Sequence, residues 1–373
     1  MTPERPNWLQ YSLQYAKAGI ESKVLKRKPI FLTVFVTSRC GLNCGHCFYR
    51  EELLNGDIHK ELKLWEYERF TKQSASFPKL ILTGGEPFLR PDLADIVHLF
   101  YHNRSQSRQI TIPTAGQHPD RIVALVKRSL RECPDLILEI QLSIDGVREQ
   151  HDSIRGKGQF QNLMTTYHRL QPIQDQNERL RIRFNFTFSA ESQDHFEMTY
   201  LFVTQTLRNP HFDMVLIRRS SADPAFFKPA DMQKYRRATS LLQQQERQKS
   251  KGLLEEILAE RAGVERNIIA NHYEKQPTML GCQAGTLTMI LSEEGDVRPC
   301  EILDTVLGNI RETNYQLEPI WKGDRAKEHR KDIQQACYCT FETCVRTTMV
   351  FQPKWIFRSL QSFVHTKLGH HPH

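Results

Sequence analysis

The sequence predicts an α/β protein built on a partial, TIM-like (β/α)6 barrel that is followed by a small cysteine-rich C-terminal extension. Six apolar, β-branched-rich runs alternate with helix-like segments, and this alternation ends after residue 219. Five of the nine cysteines then lie from Cys282 onward. Strands that alternate with helices favour a parallel sheet of right-handed βαβ units. Six such units are too few for a closed eight-stranded barrel.

The predicted strands are short and bounded by turn residues, as parallel strands usually are. They span residues 31–37, 79–83, 109–114, 136–143, 181–188 and 213–218. Between them, residues 92–103 and 119–130 place apolar side chains on one helical face. In parallel barrels the chemistry lies at the carboxyl ends of the strands, so those ends are where site residues are expected.

The rest of the chain divides by composition. We predict a helical segment over 1–29, the barrel over 30–227, a charged helical connector over 228–270, a cysteine-rich domain over 271–345 and a basic aromatic tail over 346–373. Within the cysteine-rich domain, residues 287–291 and 297–300 flank a turn containing Gly295, which predicts a β-hairpin. The tail could lie on a membrane surface as an amphipathic helix, although packing on its own domain is the favoured interpretation.

Composition excludes several classes of protein. The 373-residue chain contains no run of eighteen apolar residues and begins without a secretory signal, so we expect a cytoplasmic protein with no membrane-spanning segment. The net charge of +8 is spread along the chain without a dense basic block, and we expect no nucleic-acid partner. Cysteines in a cytoplasmic chain indicate metal or redox chemistry rather than disulfides.

The strongest local signal is the motif Cys40-x3-Cys44-x2-Cys47, directly after the first predicted strand. Its spacing lets three thiolates converge on one compact site. Three are one short of the four that complete an iron–sulfur cube or a structural zinc site, which leaves one iron free to bind a ligand. A zinc site completed by His46, or unrelated buried thiols, are the alternatives.

A second signal, Gly84-Gly85-Glu86, stands at the end of the second predicted strand. Two glycines allow a close backbone approach, and a carboxylate beside them can hold an ammonium group. Alone this motif is weak, because many tight turns look similar. Its place one βα unit after the cysteines strengthens it.

Together these motifs closely resemble those of the radical S-adenosylmethionine (SAM) superfamily, and the resemblance covers most of the chain. It implies that Cys40, Cys44 and Cys47 hold a [4Fe–4S] cluster whose free iron binds exchangeable SAM, and that Gly84, Gly85 and Glu86 contact SAM. His46 stands where the family often has an aromatic residue, and an imidazole can still stack on adenine. Thr114-Ala115-Gly116 replaces the more usual TNG, which removes one amide near SAM.

The stretch from Ser143 to Gly156 looks like the SIDG…HDxxRG stretch of radical SAM enzymes with SPASM or twitch extensions. The resemblance implies that Ser143 and Arg155 contact the ribose and carboxylate of SAM, because the planar guanidinium can bond both carboxylate oxygens. An equally weighted alternative is that Asp145, Asp152 and Arg155 only order the turn.

The extension resembles the opening of a SPASM or twitch domain, where a hairpin between cysteines frames an auxiliary iron–sulfur cluster. Its five thiols suffice for one four-ligand cluster but not for two. We therefore predict one auxiliary [4Fe–4S] cluster, with a four-thiolate zinc site as the alternative. The candidate ligands, four of five, are Cys282, Cys300, Cys337, Cys339 and Cys344. Cys133 is interpreted as a small core residue.

The resemblance implies an enzyme that reductively cleaves SAM to a 5′-deoxyadenosyl radical and abstracts hydrogen from a substrate, with flavodoxin or ferredoxin as low-potential donor. Only 39 residues precede Cys40, too few for a separate leader-binding domain, which favours a small molecule or natural-product intermediate. A ribosomal peptide or protein side chain is the alternative substrate. Arg218, Arg219 and Glu301 are candidate substrate contacts, unless they are merely solvated. A non-catalytic electron-transfer or zinc scaffold protein is the competing class.

Overall fold

The computed structural model describes residues 19–20, 29–74, 76–103, 105, 107–218, 228–250, 252–276, 281–336 and 340–352, with seven further positions between 354 and 364. The predicted N-terminal segment lies almost entirely outside these residues, and so does most of the tail. In the part of the chain described here, no helix is both long and apolar enough to cross a membrane.

Six parallel strands form the barrel, in the order in which they occur along the chain. They are β1 (Phe31–Thr37), β2 (Lys79–Gly84), β3 (Gln109–Thr114), β4 (Ile137–Ser143), β5 (Leu180–Phe188) and β6 (Phe212–Leu216). Each strand pairs in parallel with the next one, from β1 to β6. The partial barrel predicted from the sequence is therefore confirmed, with strand ends shifted by no more than two residues.

Helices connect these strands and cover their outer face. They are α1 (Arg50–Asn55), α2 (Leu64–Gln73), α3 (Leu93–His102), α4 (Pro119–Glu132), α5 (Glu149–Arg155), α6 (Gln159–Gln176) and α7 (Phe196–Leu201). Helix α4 shows why they form: proline occupies its first turn, and Ile122, Leu125 and Val126 bury one face against the sheet.

The inner face of β5 is polar. Along β5, Leu180, Ile182, Phe184, Phe186 and Phe188 are buried, whereas the residues between them are partly exposed. Because side chains alternate across a strand, those intervening residues line the lumen. Arg183 on this face lies 2.9 Å from Asp213 of β6, so charged pairs fill part of the lumen.

The extension continues the same sheet. β7 (Thr288–Leu291) pairs in parallel with β1 on the side opposite β2, and β8 (Asp296–Arg298) and β9 (Gly308–Asn309) follow in antiparallel order. The hairpin predicted around Gly295 is thus confirmed. Its attachment to the barrel gives one nine-stranded sheet with β6 and β9 at its edges.

The remaining helices lie beside the open flank and in the extension. They are α8 (Met232–Lys249), α9 (Leu253–Tyr273), α10 (Leu317–Lys322), α11 (Asp324–Ala336) and α12 (Glu342–Phe351). Helix α12 lies against edge strand β6, because Leu216 N donates to Glu342 Oε1 at 3.2 Å. It also contacts α9 through the pair between Arg346 Nη2 and Glu265 Oε1 at 2.9 Å. Helix α12 therefore links edge strand β6 to α9.

Candidate active site

The three cysteines of the first motif lie on a loop directly after β1. Cys47 N donates to Cys44 O at 3.2 Å, which folds the loop into a tight turn. All three thiols are free and partly buried. Burial raises the pKa of each, to about 11 for Cys47, so a bound metal would have to supply the charge that stabilises the thiolates.

These sulfurs are not arranged for a single ion. Among the residues that the structure describes, neither Cys40, Cys44 and Cys47 nor any set including His46 brings three donor atoms within 4.8 Å of one another. A tetrahedral zinc site needs its ligands close together, whereas an iron–sulfur cube spreads its thiolates further apart. The arrangement fits a cluster better than the zinc alternative.

The Gly84-Gly85-Glu86 turn is fastened to the start of this loop. Gly85 N donates to Thr37 O at 2.9 Å, and Glu86 N donates to Arg39 O at 2.8 Å. Gly84 has φ +134°, and a Cβ at Gly85 would lie 2.1 Å from Arg39 O. The backbone that these glycines approach is thus the chain's own, and the turn fixes where the cysteine loop begins.

The carboxylate of Glu86 is fully enclosed at the ends of β2 and β3. It accepts hydrogen bonds from Thr114 Oγ1 at 2.7 Å, Ala115 N at 3.0 Å and Phe88 N at 3.2 Å. Burial raises the pKa of Glu86, although these donors oppose that shift. Carboxylate oxygens each carry two acceptor positions, so Glu86 keeps capacity to hold a cationic ligand group.

Asp145 connects the cysteine loop to the ends of β4 and β5. Its Oδ2 lies 2.5 Å from Arg155 Nε and 3.5 Å from His46 Nε2, and its Oδ1 accepts from Thr187 N at 2.9 Å. Burial alone would raise the pKa of Asp145, but Arg155 and His46 outweigh it and hold the pKa below its usual value. Asp145 and Arg155 of the SIDG…HDxxRG stretch therefore lie next to His46 of the cysteine loop.

Several buried polar atoms at this end of the barrel have no hydrogen-bond partner among the described residues, and they include His46 Nδ1, Asn185 Oδ1, Gln117 Nε2 and His151 Nε2. Ser143 lies beside Asn185 in the β4–β5 register. Buried polar atoms are rarely left unpaired, so this set indicates room for a polar ligand. Asn185 and Gln117 were missed in the sequence, although the polar alternation of β5 could have revealed Asn185.

Glu191 is a further residue that the motifs did not reveal. It follows β5, and a Cβ added at Gly45 would lie 2.7 Å from its carboxylate. The glycine between Cys44 and His46 thus makes space for an acidic side chain beside the cysteine loop.

The described cysteines of the extension come together in a second buried group, which they share with Phe341 and Ile333. These are Cys282, Cys300 and Cys344, drawn from before β7, after β8 and within α12. Cys337 and Cys339 lie outside the described residues. Three of the five candidate ligands of the auxiliary cluster therefore lie in one buried group.

Arg218 lies between the two cysteine regions. Its guanidinium stacks 4.8 Å from the Phe48 ring, which follows Cys47, and 4.4 Å from the Phe341 ring. It pairs with Glu301, next to Cys300, and its Nη2 lies 3.4 Å from Glu342 Oε2. The candidate substrate contacts Arg218 and Glu301 thus bind each other, while Arg219 lies outside the described residues.

A cavity of about 300 Å³ adjoins this junction. It is lined by aromatic and acidic residues of the cysteine loop, α1 and the β7–β8 hairpin, including Phe48, Tyr49, Glu293, Cys300 and Glu301. The lining places this space between the two cysteine regions.

The chain belongs to the radical SAM superfamily: the model of that family matches residues 34–174, and the model of the SPASM iron–sulfur cluster-binding domain matches residues 282–344. It is therefore an enzyme of the class that uses SAM and a [4Fe–4S] cluster, with an auxiliary iron–sulfur domain. The cysteine loop and the strand-end motifs fall in the first match, and Cys282, Cys300 and Cys344 fall in the second.

Similar proteins agree with this assignment. The chain is 24% identical over 319 residues to the AdoMet-dependent heme synthase of Methanosarcina barkeri (strain Fusaro / DSM 804), covering 82% of this chain and 86% of that protein. The Fe-coproporphyrin III synthase of the same organism is 28% identical over 169 residues, or 44% of this chain and 38% of that protein.

Two solved structures share the fold. Native anSMEcpe with bound AdoMet superposes with a TM-score of 0.58 at 13% identity, covering 91% of this chain and 97% of that one. Streptococcus suis SuiB bound to its precursor peptide SuiA gives 0.57 at 17% identity, covering 89% and 73%. At such identities the likeness concerns the fold alone.

Proposed function

We propose that this enzyme cleaves SAM reductively at the carboxyl ends of β1 to β5 and removes hydrogen from a small-molecule substrate. When bound, SAM and the reduced [4Fe–4S] cluster supply the 5′-deoxyadenosyl radical that performs the abstraction. The observation that carries the proposal is the convergence of the cysteine loop, Glu86 and the Asp145–Arg155 pair around buried polar atoms that have no partner among the described residues.

In this proposal Cys40, Cys44 and Cys47 hold the cluster and Glu86 takes the SAM ammonium. Arg155 is held by Asp145 at 2.5 Å, so its remaining N–H groups are oriented before a carboxylate arrives. An ion pair that already exists lowers the entropic cost of binding, since fewer rotamers are lost.

The other contacts to SAM are proposed from the unpaired atoms. His46 Nδ1 and Asn185 Oδ1 would bond the adenine and ribose, together with Ser143 beside Asn185. The Gly84–Gly85 turn supports them indirectly by fixing the start of the cysteine loop. Each of these groups binds or orients, and none needs to transfer a proton.

The heme synthase of Methanosarcina barkeri aligns with this chain over 86% of its own length. Its name indicates a small-molecule product, so a small-molecule substrate is favoured here. A second relative is named for Fe-coproporphyrin III, so a tetrapyrrole is the first substrate class to test. The likeness to peptide-bound SuiB concerns the fold alone, and peptide modification is therefore an outcome for the test to reveal.

The auxiliary site is proposed to hold one [4Fe–4S] cluster through Cys282, Cys300, Cys344 and one of Cys337 and Cys339. Electrons would come from a low-potential flavodoxin or ferredoxin. The proposed compartment is the cytoplasm, where thiols remain reduced.

The test is anaerobic reconstitution followed by incubation with dithionite and SAM, with 5′-deoxyadenosine measured by mass spectrometry. We expect 5′-deoxyadenosine from the wild type and none from a Cys40→Ala/Cys44→Ala/Cys47→Ala variant that keeps its auxiliary iron. Cys133→Ala, at the opposite end of the barrel, is the matched cysteine control for SAM cleavage alone and should still form 5′-deoxyadenosine. Iron below about four per chain with no 5′-deoxyadenosine would refute the proposal.

The substrate class is tested by adding iron-coproporphyrin III to the same reaction. Faster 5′-deoxyadenosine formation and a changed tetrapyrrole mass would support it. Stimulation by a peptide, with none by a tetrapyrrole or another small molecule, would overturn the small-molecule assignment while leaving SAM cleavage intact.

A further inference from the structure

Three metal-binding side chains meet at the opposite end of the barrel from the SAM site. Donor atoms of His98, His102 and Cys133 all lie within 4.8 Å of one another. Among the residues that the structure describes, this is the one group of three or more His, Cys, Asp or Glu donors that converges so closely. None of these residues belongs to the motifs that define the SAM site.

The backbone holds all three in place. His98 and His102 are one turn apart on α3, the i and i+4 spacing that puts two imidazoles on one helix face. Cys133 directly follows α4 as its C-cap, where its N donates to Ser129 O at 2.9 Å and its O accepts from Arg179 Nη1 at 2.7 Å. The group therefore bridges α3 and the connection between α4 and β4.

The chemistry of the donors suits a borderline metal ion. Zinc binds imidazole nitrogen and thiolate sulfur, the donors that this group offers. His98 Nε2 is buried and makes no hydrogen bond among the described residues, and its nearest acidic neighbour is Glu132 Oε2 at 3.2 Å. The Cys133 side chain is fully buried, so solvent does not compete for its sulfur.

The nearest carboxylate contacts His98 but lies outside the group of three converging donors. Glu132 Oε2 lies 3.2 Å from His98 Nε2. The carboxylate of Glu132 is already paired, because it accepts from Arg128 Nε at 3.1 Å and from Arg131 Nη2 at 2.5 Å. The sulfur and the two imidazoles suit zinc better than magnesium or calcium, which prefer oxygen ligands.

We propose that His98, His102 and Cys133 form a zinc site with three protein ligands that fastens α3 to the α4–β4 connection. Small rotations of the two imidazoles bring the donors from their present spacing to zinc–ligand distances of about 2.0–2.3 Å. His102 is exposed, so a water molecule can complete the tetrahedron from the solvent side. Residues at this end of a barrel serve stability rather than catalysis, so loss of the site should leave SAM cleavage intact.

The test uses the anaerobically reconstituted full-length holoenzyme, treated with chelating resin and then given one equivalent of zinc. After gel filtration we expect about one zinc per chain, with X-ray absorption showing one sulfur near 2.3 Å and three nitrogen or oxygen neighbours. His98→Gln/His102→Gln should retain at least about tenfold less zinc. His59→Gln/His168→Gln, at two exposed histidines, is the matched control and should bind like the wild type.

Thermal unfolding gives a second measurement that does not depend on activity. Zinc should raise the unfolding midpoint of the wild type and the control but not that of the His98→Gln/His102→Gln variant. Equal zinc retention in all three proteins, a zinc neighbourhood of three or four sulfurs, or no zinc retained by the wild type would each overturn the proposal. A shell of several sulfurs would mean that zinc had entered the cysteine sites instead.

Discussion

Asp145 shows how one buried charge can organise a site built from distant parts of the chain. It lies at the end of β4, yet it contacts His46 beside the cysteines, Arg155 in α5 and the backbone of Thr187 in β5. A fully buried carboxylate is stable only when such partners replace its lost water. The pair with Arg155 therefore both neutralises Asp145 and aims the guanidinium.

The first prediction concerns this residue. Asp145→Asn leaves Arg155 buried without its counter-charge, and breaking such a pair costs about 3–5 kcal/mol. We expect lower stability in anaerobic urea unfolding and at least about tenfold weaker SAM binding in equilibrium dialysis. Asp152→Asn is the matched control, because the Asp152 carboxylate accepts from the backbone amides of Gly158 and Phe160. Equal losses in both variants would contradict the special role of Asp145.

His151 supplies a pH-dependent prediction. Its Nδ1 accepts from Asp145 N at 3.2 Å, so the folded chain needs the neutral imidazole, and burial lowers the pKa of His151 to about 4. The unfolded chain takes up a proton near pH 6.5, whereas the folded chain does not. The stability that neutral His151 contributes is therefore fully present above pH 6.5 and is lost as the pH falls towards 4.

His151→Gln should remove this dependence. In urea unfolding, the difference in the free energy of unfolding between wild type and variant should shrink by about 2 kcal/mol as the pH is lowered from 6.5 to 5. His168→Gln, at an exposed position of α6, should leave the pH dependence unchanged. A gap that stays constant across this range would show that His151 does not titrate differently in the two states.

At the scale of elements, the Gly84–Gly85 turn at the end of β2 packs against the start of the cysteine loop and fixes its position. A Cβ at Gly84 would lie 2.3 Å from Thr37 O, and one at Gly85 would lie 2.1 Å from Arg39 O. Both contacts are to backbone, which cannot rotate away. A larger residue must therefore push the loop outward from the barrel.

The prediction is that Gly85→Ala lowers iron incorporation at the cysteine loop by at least about half, measured after anaerobic reconstitution in a background lacking the extension's cysteines. Gly158→Ala is the matched control: its φ is +81° but nothing lies within 4 Å of an added Cβ. That variant should lose about 1 kcal/mol from backbone strain and keep its iron. Equal iron loss in the two variants would show strain, not crowding, to be the cause.

The sequence specified the elements well and their long-range partners poorly. Periodicity located β1 to β6 because each strand carries its own apolar pattern, and the motifs located the cysteine loop and the SIDG turn. Residues more than 120 positions apart form the pairing of β7 with β1 and the contact of α12 with β6. Local patterns carry no such information, so the position of α12 and the Arg218 contacts could not be foreseen.

At the scale of the whole molecule, the barrel and the extension meet through a shared sheet and a buried charge network. Arg218 contacts Phe48 from the cysteine loop and Phe341 from the extension, and it pairs with Glu301 and Glu342. Burial raises the pKa of both glutamates, and Arg218 opposes that shift. These contacts fit a residue that holds the two cysteine regions together, an alternative to its proposed substrate contact.

The two roles of Arg218 can be separated by comparing a broken network with a removed one. Arg218→Met alone leaves Glu301 and Glu342 buried without their cation and should cost about 3–5 kcal/mol in anaerobic unfolding. Adding Glu301→Gln and Glu342→Gln removes the buried charges, and replacing a whole buried network is often close to neutral. If Arg218 only joins the two regions, this triple variant should recover both stability and substrate-stimulated 5′-deoxyadenosine formation. Recovered stability with that stimulation still absent would instead assign Arg218 to the substrate.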